Sequence, residues 1–486
     1  MGGAQQKGGT NTRSMSLASD LDYVRGLHSI RVGAMVDAFR YRSDSTTNYL
    51  GTYTFENQAA FEAGLPRSYT RRIGDPNIRY TNAQVGIYLQ DDIRVKKNLT
   101  LSPGLRYEAQ THVPDRMNFA PRFGATWAPF KSGKTTLRTS IGVFYDWLNT
   151  GTYQQTLQVD GFRQQEVNLI NPIYPDPGDV SGAAPTNRYL LGDGMVMPRT
   201  VRVSLGVAHT FNTRLSVGSI YADARGTSLL VGQNLNAPID GLRPDPAFAN
   251  VIEAVSEGRS RQKTLNTNIS LNLAAPGFQP TGGKFLDLRR GLRVSASHTL
   301  ARFENNTDGA FSTPATNDLD AEWGTAPGDV RHRFNISVGT GAIRSLNVSV
   351  NMGTSSAQPL NIRTGLDDNG DLIFNDHPAG VGRYSERTSG QFNSSAFISY
   401  QIPLGQRSIT SPGGVSITSQ GGGLVVNNLG TQTVPRYRLV IGANIQNITN
   451  HANYFGYNGV MGSSRFLQPT TAAGVRRVTF QAGVTF

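Results

Sequence analysis

The stretch Val478-Thr-Phe-Gln-Ala-Gly-Val-Thr-Phe486 alternates apolar and polar side chains without a break and ends on a phenylalanine. Successive side chains of a strand point to opposite faces. Val478, Phe480, Ala482, Val484 and Phe486 therefore share one face, and Thr479, Gln481, Gly483 and Thr485 share the other. One greasy face and one wet face suit a wall between lipid and water, and they suit the half-buried strand of a soluble sandwich equally well. The rest of the chain decides between the two.

The same period recurs upstream. Val85, Ile87 and Leu89 alternate with Gly86, Tyr88 and Gln90, and Val201, Val203, Leu205 and Val207 alternate with Arg202, Ser204, Gly206 and Ala208. Leu137, Ile141 and Val143, then Leu346, Val348 and Val350, and finally Tyr437, Leu439, Ile441, Ala443 and Ile445 repeat it. The polar partners are chiefly Gly, Ser, Thr, Asn, Gln and Arg, which pack poorly as a soluble core but line water well. Several runs reach about ten residues, the length a tilted strand needs to cross hydrocarbon. The expectation is an all-β, transmembrane, antiparallel up-and-down barrel, one domain over residues 1–486 with about 16–18 spanning strands. Aromatics near run ends, among them Tyr107, Trp127, Tyr145, Trp147, Tyr221, Phe392, Tyr400, Tyr437 and Phe486, suit interfacial girdles.

Composition agrees. The 486 residues are 38% hydrophobic with no cysteine, the mean hydropathy is −0.33, and no uncharged apolar run approaches the roughly 18 residues of a membrane helix. A helical membrane protein is excluded, whereas a barrel turns only every second residue to lipid and stays polar on average. Absent cysteine removes disulfides and Cys-based zinc sites. The net charge of +12 raises nucleic acid as a partner, but the excess is arginine spread singly along strands. Arg106, Arg122, Arg138, Arg202, Arg214, Arg293, Arg333 and Arg438 alternate with apolar neighbours, which places them on the water-lined face. No nucleic-acid partner is expected.

Unequal connections give an orientation. Lys96-Lys97-Asn98, Ser132-Gly133 and Asn212-Thr213 read as tight periplasmic turns, and residues 148–198, 227–257, 303–328, 357–390, 405–434 and 450–474 read as long outward loops. Asn57 to Gly64 reads as a short helix with an Asn cap, and Gly413-Gly414 with Gly421-Gly422-Gly423 as a flexible tip. No apolar leader follows Met1, so an amino-terminally incomplete piece of an exported protein is expected.

Motifs across most of the chain add a resemblance. They include Tyr88-Leu-Gln-Asp-Asp-Ile-Arg-Val95, Gly104-Leu-Arg-Tyr-Glu108, Phe119-Ala-Pro-Arg-Phe-Gly124, Asn234-Leu-Asn-Ala-Pro238, Gly328-Asp-Val-Arg-His-Arg-Phe334, Asn375-Asp-His-Pro-Ala-Gly-Val-Gly-Arg383 and Asn447-Ile-Thr-Asn450. In order and spacing the chain resembles the carboxy-terminal barrel of a TonB-dependent outer-membrane receptor of the Oar-like branch, whose members carry an amino-terminal carboxypeptidase-regulatory-like domain and a plug. The resemblance implies a bacterial outer-membrane location, contact with outer-membrane lipid and lipopolysaccharide, and energy-coupled uptake or binding of a substrate it does not name. It implies that Phe480, Val484 and Phe486 belong to the signal read by the outer-membrane assembly machinery. It also implies that TonB is reached only through an amino-terminal plug region, which this stretch is expected to lack together with several strands of a barrel of about 22.

Chemistry is sparse. The seven histidines are scattered, and no metalloprotease helix, nucleophile elbow or phosphate-binding loop occurs; no enzyme and no cofactor are expected. Asp367, Asn369 and Asp371 have the spacing that turns oxygen ligands around calcium, with Asp376 as a further donor. The same residues build tight polar turns unaided. Asp318 to Glu322 with Trp323 offers an acidic loop for a ligand or for solvent alone. A structural or adhesive surface protein of the same fold and a soluble polyanion-binding β-protein are the alternatives.

Overall fold

Period-two patterning becomes a ladder. The computed structural model describes residues 8–178, 186–273, 291–315, 318–343, 345–409, 415–420, 423–428 and 432–486. The long strands are β1 (Thr10–Arg25), β2 (His28–Ser43), β3 (Ile78–Lys96), β4 (Leu99–Gln110), β5 (Asn118–Trp127), β6 (Thr135–Tyr145), β7 (Arg199–Thr210) and β8 (Leu215–Asn234). They continue with β9 (Phe248–Asn272), β10 (Leu292–Asn305), β11 (His332–Ile343), β12 (Leu346–Ser355), β13 (Gln391–Leu404), β14 (Tyr437–Gln446) and β15 (Arg477–Thr485). Each pairs antiparallel with the next, as an up-and-down meander requires. The sheet holds 20 strands; the other five are short rim pieces, so the expected 16–18 spanning strands fall between the fifteen long ones and that total. Among the described residues no pairing joins β1 to β15, and the sheet is open.

Register keeps the faces apart. Leu21 lies opposite Val32, Val32 opposite Leu89, and Leu89 opposite Leu105; Leu439 lies opposite Val484 and Ala443 opposite Phe480. This apolar face is bare: Val203 is 40% exposed, Leu205 58%, Ile441 47% and Phe480 78%, the reverse of what burial in a soluble core would give. In hydrocarbon each such side chain contributes about 1.5–3 kcal/mol. Lipid is the missing half of the core.

On the other face Gly104 lies opposite Arg122, Arg122 opposite Gly142, and Gly142 opposite Arg202. Gly33 sits beneath Tyr88, whose hydroxyl donates to Asp20 Oδ1 at 2.7 Å. A Cβ at Gly33 would come within 2.4 Å of the Tyr88 ring, so only glycine lets that ring lie flat on the strand.

Four connections expected or found to be short, 26–27, 97–98, 128–134 and 211–214, leave the same end of the ladder. Two expectations about loops are corrected. Much of 227–257 is strand, because β8 runs to Asn234 and β9 starts at Phe248. The 405–434 segment leaves β13 at the short-turn end, since strand direction alternates; its pairs Arg407–Ile409 with Gln432–Val434 and Val415–Gln420 with Gly423–Asn428 extend the hairpin there. Gly413, Gly414, Gly421 and Gly422 lie outside the described residues. The helix is Gln58–Glu62, capped by Asn57 Oδ1 accepting from Ala60 N at 2.9 Å, and Gly64 takes φ +67° just beyond it.

At the long-loop end the chain builds a second layer. The upper part of β9 leaves β10 and pairs in parallel with Thr186–Leu191, which pairs with Gln164–Ile170, which pairs with Ser68–Gly74, and this with Thr52–Thr54. Within this sheet Tyr69 and Val167 are buried, and beside it Val113, Leu148, Met195 and Met197 form a second small core with Tyr145 and Trp147 packed against them. Tyr145 and Trp147, expected in interfacial girdles, both pack partly buried against this rim core.

Candidate functional site

Among the described residues the water-lined face carries no cluster of nucleophile, base and acid; what it offers is space. Residues of β7 through β14 enclose a cavity of about 1040 Å³, lined among others by Ser216, Asn268, Ser297, Arg333, Asn335 and Asn393. Small hydroxyl and amide side chains leave room there, and the alternation puts their apolar neighbours outside. A second hollow of about 540 Å³ lies along β2 to β7 and is lined by Arg31, Arg106, Arg122 and Arg202 with Gly104 and Gly142. Arg31 is held by Asp22 through two hydrogen bonds of 2.6 and 3.0 Å, Arg106 pairs with Glu108, and Arg122 stacks 4.3 Å from the Phe144 ring. Arg138, Arg293 and Arg333 share the polar face by register, as does Arg438, while Arg214 closes the turn before β8.

Polar chemistry is concentrated at the long-loop rim. Asp329 is 1% exposed; its Oδ1 accepts from Phe303 N at 2.7 Å and its Oδ2 accepts from Arg387 at 2.6 Å, with Arg331 at 3.6 Å. Arg383, also buried, donates to Asp308 at 2.6 Å, to Asn305 Oδ1 at 2.8 Å and to the Glu322 carbonyl at 3.2 Å. Asn234 bridges to Asn250 and Asn236 to the Phe248 carbonyl, each at 2.8 Å. Asn453 grips both backbone groups of Phe392 at 2.8 Å. These are residues of the quoted motifs or their neighbours, and their work is loop closure. Sequence reading missed that because the partners lie far apart along the chain.

The Asp367, Asn369 and Asp371 loop belongs to this rim. Asp367 Oδ2 accepts from Leu372 N at 3.1 Å, Asn369 Oδ1 from Asp371 N at 3.0 Å, and Asp371 Oδ1 from Ile373 N at 2.7 Å. Asp376 Oδ2 takes Asp368 N at 2.8 Å, and Arg243 reaches over to the Gly370 carbonyl at 3.3 Å. Asp367 Oδ1 is buried without a partner. Burial raises the carboxyl pKa values of Asp371 and Asp376 above the usual range, against backbone hydrogen bonds that lower them. Among the described residues no group of three or more His, Asp or Glu side chains stands ready around a common metal position. Glu322 of the acidic loop is buried and accepts from Ala315 N at 3.0 Å, so it braces the rim; Trp323 beside it stays exposed. Phe480, Val484 and Phe486 lie together on the outward face of the last strand, highly exposed.

A sheet bare and apolar outside, hollow and polar inside, with ordered loops at one end and tight turns at the other, is the wall of a membrane-spanning barrel. The outer-membrane β-barrel domain family matches residues 1–116 and 111–479, and the chain belongs to that family, whose place is the bacterial outer membrane. Solved structures share the fold. The outer-membrane transporter YddB from Escherichia coli has a TM-score of 0.58 at 12% identity, over 98% of this chain and 54% of that one. The ferric enterobactin receptor PfeA from Pseudomonas aeruginosa, as a G324V mutant, gives 0.58 at 13%, again over 98% and 54%. The FrpB iron transporter from Neisseria meningitidis gives 0.50 at 15%, over 98% and 55%. The chain thus spans about half the length of the structures it matches, and the resemblance to TonB-dependent receptors holds at the level of fold. No curated protein matches the sequence.

Proposed function

We propose that this chain is barrel wall from a TonB-dependent receptor of the Oar-like branch, serving energy-coupled uptake rather than catalysis. The observation that supports the reading is the continuous polar face with its cavity of about 1040 Å³, a wall suited to a passage. TonB would engage the whole protein through a plug region, and the assembly machinery would read the outward strand that holds Phe480, Val484 and Phe486. The test is deletion of the full-length gene, with growth measured on a panel of limiting iron, vitamin and glycan sources, with and without a proton uncoupler. Uptake gives a growth defect on at least one source that the uncoupler abolishes. Unchanged growth with lost surface attachment would overturn it in favour of adhesion.

For the Asp367, Asn369 and Asp371 loop we propose weak calcium binding, with a dissociation constant on the order of 10⁻⁴–10⁻³ M. Carboxyls held against burial, with Asp367 Oδ1 unpartnered, are groups a divalent cation would stabilise as anions.

A further inference from the structure

The outward face changes character near the loops. Across β1, β2 and β3 its rows run Leu21, Val32, Leu89, then Leu17, Val36, Val85, then Met15, Ala38, Ala83. One step further Arg13 lies opposite Arg40, and a step beyond that Arg42 lies opposite Arg79. Seven strands further along the sheet the pattern repeats. The row Tyr221, Leu265, Leu300 is followed by Lys263 opposite Arg302 and then by Arg225 opposite Arg261.

Like charges directly opposite on neighbouring strands are destabilising unless something stands between them. The side chains of Arg13, Arg40, Arg42 and Arg79 make no ion pair or hydrogen bond with any described residue, and they line a cleft of about 660 Å³ in which Asp44 is the one carboxylate. In the second cluster Asp223 lies 3.6 Å from Arg225 and 3.3 Å from Arg261, and Glu304 pairs with Arg302. Lys263 lies opposite Asp223 in the register and makes no ion pair among the described residues. Arg225, Arg259 and Arg261 share a cleft of about 380 Å³ with Trp323 and with Asp320, whose carboxylate lies 3.9 Å from Arg259 at its exposed edge.

Height identifies the occupant's level. From Leu271 to Lys263 a strand rising about 3.3 Å per residue at a tilt of about 40° climbs roughly 20 Å, close to the apolar band of about 25 Å. The cations therefore stand at the headgroups on the long-loop side, facing neither lumen nor bulk water. Guanidinium pairs match phosphate bidentately, and an indole beside them suits the interface between chain and headgroup. We propose that these two outward clefts hold the phosphate groups of outer-leaflet lipopolysaccharide, each phosphate bridging cations on adjacent strands.

The test uses the full-length protein extracted in detergent and offered bis-phosphorylated lipid A, the same lipid dephosphorylated, or millimolar sodium phosphate. Retained lipid is counted by mass spectrometry and unfolding is followed by heat. The wild type should keep the phosphorylated lipid about tenfold over the dephosphorylated one, and R42Q/R79Q and R225Q/R261Q should each lower that retention about tenfold. Without lipid R42Q/R79Q should unfold at or above the wild-type temperature, because a repulsion has been removed, whereas R225Q/R261Q also strips Asp223 of its partners and is judged by lipid retention alone; an Arg42 or Arg79 that merely braced the fold would show the opposite. Equal retention of the two lipids by the wild type overturns the proposal even if a variant fails to fold. So does wild-type retention by both variants. Displacement by sodium phosphate also overturns it, and would assign the clefts to a soluble anion.

Discussion

The wall and the long-loop rim meet the same requirement by opposite means. In the wall the hydrophobic side chains, Leu205 and Ile441 among them, are left uncovered, and lipid completes the packing. The rim stands in water and must make its own interior, with a few apolar residues around Met195 and Met197 and a dense set of buried polar groups around Asp329 and Arg383. Outward alternation is thus a sign of where the membrane is, and buried side-chain to backbone bonding is a sign of where it ends. Perturbations should therefore separate the two regions.

The largest separation should come from Asp329→Ala. Its side chain is fully buried and holds Arg387, and removing one partner of a buried pair costs about 3–5 kcal/mol. Limited proteolysis should cut within 306–331 and 356–390 while the strands stay protected; cleavage inside the strands as well would join rim and wall into one unit. Leu205→Arg should do the reverse. A charge near the middle of the lipid face costs about 2–4 kcal/mol, which should show as a lower unfolding midpoint in urea for protein folded into bilayers, with rim protection unchanged. An unaltered midpoint would mean that this face does not meet lipid. Removal of Phe486 should lower the outer-membrane level of the full-length protein severalfold, with the remaining folded molecules showing the wild-type rim; quantitative blotting of membrane fractions decides it.

The smallest effect should be a tuning of the rim. Because burial raises the pKa of Asp371, the folded loop binds that proton more tightly than the unfolded chain does. Its share of loop stability is therefore gained as pH falls toward and below the raised value, and lost as pH rises through it. Hydrogen-exchange protection factors at residues 367–376, taken against the intrinsic rate at each pH, should rise on mild acidification and rise again at neutral pH in millimolar calcium, with Asp371→Asn removing the calcium response. No protection by calcium, with no heat of binding, would leave these residues as turn formers alone.

Strand faces were legible because alternation is local: Val203 and Leu205 declare their side of β7 with no knowledge of a partner. The end of the membrane was less so. Past Arg225 the strand β8 simply continues, and a polar, glycine-containing run such as Arg225-Gly-Thr227 looks the same whether it is loop or strand in water. The side on which 405–434 emerges depended on counting every crossing before it. At the candidate sites, the motifs around Asp329, Arg383 and Asn453 were visible as motifs, but their work in closing loops required partners tens of residues away. The outward arginines were hidden for a different reason. Parity places Arg42 and Arg79 on the lipid face, yet only the register shows that they face one another.

The pairing of rim strands bears on the order in which the molecule is made. Each wall strand finds its partner one hairpin away, whereas the rim joins Arg72 to Glu166 across 94 residues and Val196 to Ser256 across 60. Bringing distant segments together costs loop entropy that neighbouring hairpins do not incur. Hairpins of the wall can therefore zip one after another into the bilayer while the loops are still unstructured chain. The rim sheet can close only after β9 has arrived, so ordering of this outer layer is a late, wall-templated step that marks a finished crossing.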